Sequence, residues 1–140
     1  SGGTRGVDRV LGLGLAMAFH NVISRDRVMH RCRALRAYFE GAIADVERSK
    51  NLARLTPREP DRCGGIVAYA LPEDGPTAGA LRGALAAEGI EIKSAQGTYA
   101  YCEDEGLNKQ NYNAIRLSTH VFNSESDIDR AIDALRRHLA

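Results

Sequence analysis

The stretch that decides the fold is Ala114-Ile115-Arg116-Leu117-Ser118-Thr119-His120-Val121-Phe122-Asn123-Ser124-Glu125-Ser126-Asp127, which runs on into Ile128 to Leu139. From Ala114 to Ser118 the residues alternate, so Ile115 and Leu117 point to one side of a strand while Arg116 and Ser118 point to the other. An apolar side turned inward and a guanidinium turned outward is the pattern of a strand with one covered face. Ser124 and Asp127 then have the spacing of a capping box, in which the hydroxyl accepts from the amide three residues on and the carboxylate reaches back to the amide of the cap. A helix is predicted to start there. Ile128, Ala131, Ile132, Leu135 and Leu139 make one apolar stripe at helical spacing, and Asp129, Arg130, Asp133, Arg136 and Arg137 take the wet side. Strand, turn and helix belong together, with the helix laid over a sheet.

Upstream residues supply the rest of that sheet and its cover. Ile66 to Leu71 is a run rich in β-branched and apolar residues, bounded by Gly64-Gly65 and Pro72, and is predicted to be a central strand. Thr77 or Pro76 begins a helix through Leu81, Leu85 and Ala86 that Gly89 closes, and Ile90 to Lys93 is the next predicted strand. Leu52 to Thr56 is a further strand candidate, stopped by Pro57, with Arg58 to Arg62 as a loop. Val28, Cys32, Leu35, Phe39, Ile43 and Val46 recur at helical steps, giving a long amphipathic helix that Ser24 can cap and that ends near Glu47. Before it, Val10, Leu11, Leu13, Gly14, Met17 and Ala18 suit a helix closely packed on its neighbours and ending near Asn21. Ser94 to Asn113 show no clear period and are expected to form a long loop, a feature more often functional than not inside a compact domain. The expected fold class is α/β (α+β): a three- to four-stranded, mainly antiparallel sheet covered by helices on one side, in a single domain over residues 1–140.

Composition narrows the function classes. A chain of 140 residues with 44% hydrophobic and 26% charged residues is of globular composition, which excludes a disordered or fibrous class. Its formal charge of +1 gives no bulk attraction to nucleic acid or to an anionic membrane. The apolar run Val10 to Phe19 is well short of the roughly 20 residues needed to cross a bilayer. Cys32, Cys63 and Cys102 are odd in number and lack CxxC spacing, so neither a disulfide framework nor a zinc site is indicated, and a reduced, cytoplasmic setting is expected. His20, His30 and His138 fall on predicted helices without partners at ligand spacing, and no metal site follows. Ser1-Gly2-Gly3-Thr4 carry no signal-peptide pattern, and a chain opening in mid-motif without a Met is expected to be a piece of something larger.

Ile115, Arg116, Leu117, Ser118, Phe122, Asn123, Ser124 and Asp127, set before an amphipathic terminal helix, also resemble a family. The pattern looks like the end of class V aminotransferases, pyridoxal-phosphate (PLP) enzymes of fold type I that include cysteine desulfurases, C–S lyases and isopenicillin-epimerase-like proteins. The resemblance covers nearly all of the chain and implies the C-terminal small domain of such an enzyme. It implies that Arg116 holds the α-carboxylate of an amino-acid substrate, a task that suits the planar guanidinium fork and that a Lys does not reproduce. The bland alternative is an Arg whose stem lies on the sheet while its head meets solvent or a structural Asp. Gly3 and Thr4 offer amides and a hydroxyl at a helix entrance, which suits a phosphate. In the resembled family the Thr of such a pair reaches the PLP phosphate of the neighbouring subunit, so the resemblance implies a homodimer; alternatively Thr4 only caps the helix.

Three further readings concern the same site. Tyr99 and Tyr101 are candidates for walls of the substrate pocket, or are partly buried loop aromatics. His120 follows the Arg116 and Ser118 side and is a candidate for the mouth of the site, or a hydrogen-bonded turn residue. Cysteine desulfurases carry a basic residue, a Gly and a nucleophilic Cys here, whereas in this chain Lys93 is followed by Ser94-Ala95-Gln96-Gly97-Thr98 with no Cys until Cys102. Glu103, Asp104 and Glu105 would disfavour a thiolate on Cys102. The resemblance therefore leans toward C–S lyase, aminotransferase or epimerase-type chemistry. PLP chemistry also needs a cofactor-holding Lys and an acid near the pyridine nitrogen. None of Lys50, Lys93 and Lys109 has that context, so no catalytic residue is expected in this chain and those groups are assigned to an N-terminal large domain. The alternative is a non-catalytic α/β module that binds a ligand or a partner.

Overall fold

Ser124 starts the last helix as its spacing predicts. In the computed structural model, which describes residues 6–59, 62–99 and 110–139, Ser124 Oγ accepts from the Asp127 amide at 3.2 Å and Asp127 Oδ2 accepts from the Ser124 amide at 2.9 Å. The elements are α1 (Val7–Ile23), α2 (Arg25–Ser49), β1 (Ala53–Arg54), β2 (Ile66–Ala70), α3 (Ala78–Ala87), β3 (Lys93–Tyr99), β4 (Gln110–Ser118) and α4 (Glu125–His138). The four strands form one antiparallel sheet in the order β1-β2-β4-β3. This is the expected fold class, with β2 and β4 in the centre.

The alternation read in β4 sets which face is covered. Ile115 pairs with Tyr69 and Leu117 with Val67, and all four side chains are buried. They meet Leu35, Phe39, Ile43 and Val46 of α2, Leu81 and Leu85 of α3, and Ile128, Ile132 and Leu135 of α4 in one core. Each such side chain contributes roughly 1.5–3 kcal/mol relative to staying in water. The apolar stripes of α2 and α4 are thereby spent on a single side of the sheet.

Polar contacts fix the layers in register. Arg31 of α2 grips Glu125 at the start of α4 in a bidentate pair, at 2.7 and 3.1 Å. Arg136 of α4 reaches Asp45 of α2. Asn113 ties β4 to α3: its Oδ1 accepts from the Ala78 amide at 2.7 Å, its Nδ2 donates to the Pro76 carbonyl at 3.3 Å, and its own carbonyl accepts from Leu71. Thr77 completes that helix start by accepting from the Ala80 amide.

The structure departs from expectation in four places. The strand expected at Ile90 to Lys93 begins only at Lys93, because Ile90 is occupied in closing α3, its amide donating to Leu85 while Gly89 sits at φ 75°. Ser94 to Asn113 are not one long loop: β3 continues to Tyr99 and β4 begins at Gln110, paired over their length. β3 is an edge strand whose hydrogen bonds come from β4, so it forms without the apolar alternation a sequence pattern can detect. The third correction concerns α1, expected to pack closely. It buries none of its residues, and Val10, Leu11, Leu13, Leu15, Met17, Phe19 and Val22 are all exposed. Nor does the Ser24 side chain cap α2; the residue sits at φ 77° between the two helices.

Candidate functional site: the open face of the sheet

Because Ile115 and Leu117 are committed to the core, Arg116 is forced to the opposite face; a slip of one residue would bury the charge and expose the apolar pair. Arg116 stands directly between Ala68 of β2 and Lys93 of β3 in the strand register. Both cations are exposed. Around them the same face carries Ala70, Ala95, Ala114, Ser118 and Ile66, a floor of mostly small side chains with no carboxylate among these residues. Among the described residues no side-chain hydrogen bond or ion pair engages Arg116 or Lys93.

Cations held by the helical layer are treated differently. Glu40 of α2 lies between Arg36, also of α2, and Arg54 of β1, and both guanidinium groups donate to it and to the Pro57 carbonyl. Arg36 and Arg54 are almost fully buried, so a paired carboxylate is what makes their burial tolerable. Burial alone would raise the Glu40 pKa, yet the hydrogen bonds from Arg54 and Arg36 outweigh it and hold the carboxyl below its ordinary value. Nearby, Tyr69 is fully buried and its hydroxyl has no hydrogen-bond partner among the described residues. Burial pushes its pKa up to about 12.

The end of β4 is shaped by a close backbone approach. The Thr119 amide donates to the Gly65 carbonyl at 2.7 Å, and a Cβ on Gly65 would lie 2.4 Å from the Thr119 carbonyl oxygen. Gly65 is thus required by contact with the far strand. His120 follows in a turn, its amide donating to Asn123 Oδ1 at 2.9 Å and its carbonyl accepting from the Asn123 amide. The His120 ring lies 4.9 Å from that of Phe122, on the rim of an apolar pocket with Cys32 and Ile66. A second cleft, of about 330 Å³, opens between Phe39, Leu117, Ser118, Phe122 and Asp127. Arg116 lines neither.

Of the residues singled out in the sequence, the structure therefore brings Arg116 beside Lys93 and leaves His120 beyond the strand end, in the hydrogen-bonded turn that was its alternative reading. Gly3, Thr4, Tyr101 and Cys102 lie outside the described residues, as does the side chain of Tyr99, whose backbone ends β3 opposite Gln110. Sequence reading missed that Lys93 stands beside Arg116, because the cross-strand register that pairs them is not encoded in the local pattern of either strand. It also missed Asn113, for which no local pattern exists. Among the described lysines, Lys93 is exposed and Lys50 half-buried, so these residues provide no enclosed amine for a covalently held cofactor.

The helices cover one side of the antiparallel sheet and Arg116 stands on the other, and the fold is similar to that of cysteine desulfurases and of a NifS-like protein. It superposes on a cysteine desulfurase of Thermococcus onnurineus with a TM-score of 0.77 at 17% identity, over 99% of this chain and 32% of that one. A cysteine desulfurase of Escherichia coli gives a TM-score of 0.76 at 21% identity, over 99% and 32% of the two chains. In sequence, the chain is 26% identical over 134 residues to an isopenicillin N epimerase of Amycolatopsis lactamdurans, covering 96% of this chain and 30% of the relative. The chain thus spans about a third of the length of these relatives. No family model matches it. Among the described residues no helix is long and apolar enough to cross a membrane.

Proposed function

We propose that this chain is the C-terminal small domain of a larger, PLP-dependent class V aminotransferase-like enzyme acting on an amino acid. The observation that carries the reading is Arg116: a guanidinium without an intramolecular partner among the described residues, fixed by its buried neighbours on the bare face of a sheet whose fold matches cysteine desulfurases. An Arg so placed can take a substrate carboxylate in two parallel hydrogen bonds. The exposed α1 supports the same reading, since a helix apolar on all sides is one that is covered in the assembled protein. Lys50 and Lys93 do not fit a cofactor-holding role, so PLP would be held by an N-terminal large domain, with Gly3 and Thr4 touching its phosphate across a homodimer interface. When bound, PLP supplies the electron sink for bond breaking. This chain binds and orients the amino acid by its carboxylate.

Within the class, epimerase, C–S lyase or aminotransferase chemistry is favoured over desulfuration. The stretch after Lys93 has no Cys until Cys102, which Glu103, Asp104 and Glu105 follow, and the epimerase is similar in sequence over most of this chain. The test uses the complete protein that contains this segment. Arg116→Lys should weaken amino-acid binding by about tenfold or more while leaving cofactor absorbance unchanged. Unaltered substrate affinity would remove Arg116 from the site. Thr4→Ala should loosen PLP on dialysis, and equal retention would exclude the phosphate contact.

A further inference from the structure

Lys93 and Arg116 are directly opposite each other in the β3–β4 pairing, hence on one face and close at their Cβ atoms. Two like charges in that position repel and weaken a sheet. Elsewhere the fold sets acids against the cations it brings together, as with Glu40 between Arg36 and Arg54, Glu88 against Arg137, and Asp45 against Arg136. Among the described residues of the bare face no carboxylate stands in register with the pair, whose strand neighbours there are Ala68, Ala95, Ala114 and Ser118. Small neighbours leave room above both side chains. The two cations also differ in kind: the Arg fork matches one carboxylate in a fixed plane, while the Lys ammonium is a mobile point charge on a long stem.

Resting on the proposed function, we infer that Lys93 and Arg116 form a double-cation site for an amino acid that carries a second acidic group, Arg116 taking the α-carboxylate and Lys93 the side-chain acid. The substrate class is then dicarboxylic amino acids rather than neutral or thiol-bearing ones. A dianion supplies the charge that the described residues of the bare face lack. A single carboxylate leaves the ammonium unmatched.

The complete, cofactor-loaded protein is titrated with aspartate, glutamate and 2-aminoadipate and with the neutral analogues asparagine, glutamine and norleucine, following the change in cofactor absorbance to obtain dissociation constants. The acidic members are expected to bind about tenfold or more tightly than their neutral counterparts. Lys93→Gln should abolish that preference by weakening the acidic members about tenfold or more, and Lys93→Arg should retain it, since it keeps the charge. Lys93 is exposed, so neither variant threatens the core. Equal affinities for acidic and neutral amino acids in the unaltered protein, or a preference that survives Lys93→Gln, would overturn the inference. Neither of those outcomes touches the role of Arg116, which fails separately if Arg116→Lys leaves every affinity unchanged.

Discussion

The two faces of the sheet were built under different rules. On the covered face, Val67, Tyr69, Ile115 and Leu117 are buried against three helices, and the guanidinium groups that venture there are matched to Glu40. On the bare face, alanines surround two exposed cations that no carboxylate balances among the described residues. The first arrangement lowers the free energy of this chain by itself. The second does nothing for it, and the contrast teaches that residues which contribute to folding and residues held ready for a ligand can alternate along a single strand.

The comparison is broken if mutations on the two faces have similar effects on stability, measured by urea unfolding of the 140-residue chain. The largest loss is expected for Ile115→Ala on the covered face, about 3 kcal/mol, because the side chain is only 1% exposed and a cavity would remain. Glu40→Gln should come next, at about 2 kcal/mol, since it leaves two buried guanidinium groups without a carboxylate. The same group sharpens the pH dependence. Its folded pKa is depressed, so its stabilisation is complete above the ordinary glutamate value and is lost as pH falls through the lower folded value. Glu40→Gln should therefore flatten that part of the acid limb. Ser124→Ala should cost about 1 kcal/mol through the lost cap of α4. Tyr69→Phe should be neutral or stabilising by about 1 kcal/mol, because it removes a buried hydroxyl that has no partner among the described residues. The smallest change, within about 0.5 kcal/mol of zero, is expected for Arg116→Ala on the bare face. A loss approaching that of Ile115→Ala would show that Arg116 works for the fold and not for a ligand.

Much of the architecture could be read before any coordinates because its determinants are local. Ser124 and Asp127 lie three residues apart, and both halves of the predicted cap are present. Ile128, Ala131, Ile132, Leu135 and Leu139 are all buried, as their spacing indicated. What escaped was non-local. Ser94 to Tyr99 become a strand only because β4 offers hydrogen bonds to an otherwise polar segment. Gly65 is required by Thr119, far along the chain, and Asn113 by the start of α3. For the candidate site, the outward direction of Arg116 followed from alternation alone, whereas its cross-strand neighbour depended on a register no short pattern encodes. The tight packing expected of α1 failed for another reason: its apolar composition was legible, but none of its side chains finds a buried place in this chain.

That helix carries a practical consequence. Ser24, held at a positive φ between α1 and α2, marks a natural cutting point: α1 adds greasy surface without adding cohesion. A version starting at Arg25 should melt at nearly the same temperature as the whole chain yet stay dispersed at concentrations where the whole chain clumps, as light scattering would reveal.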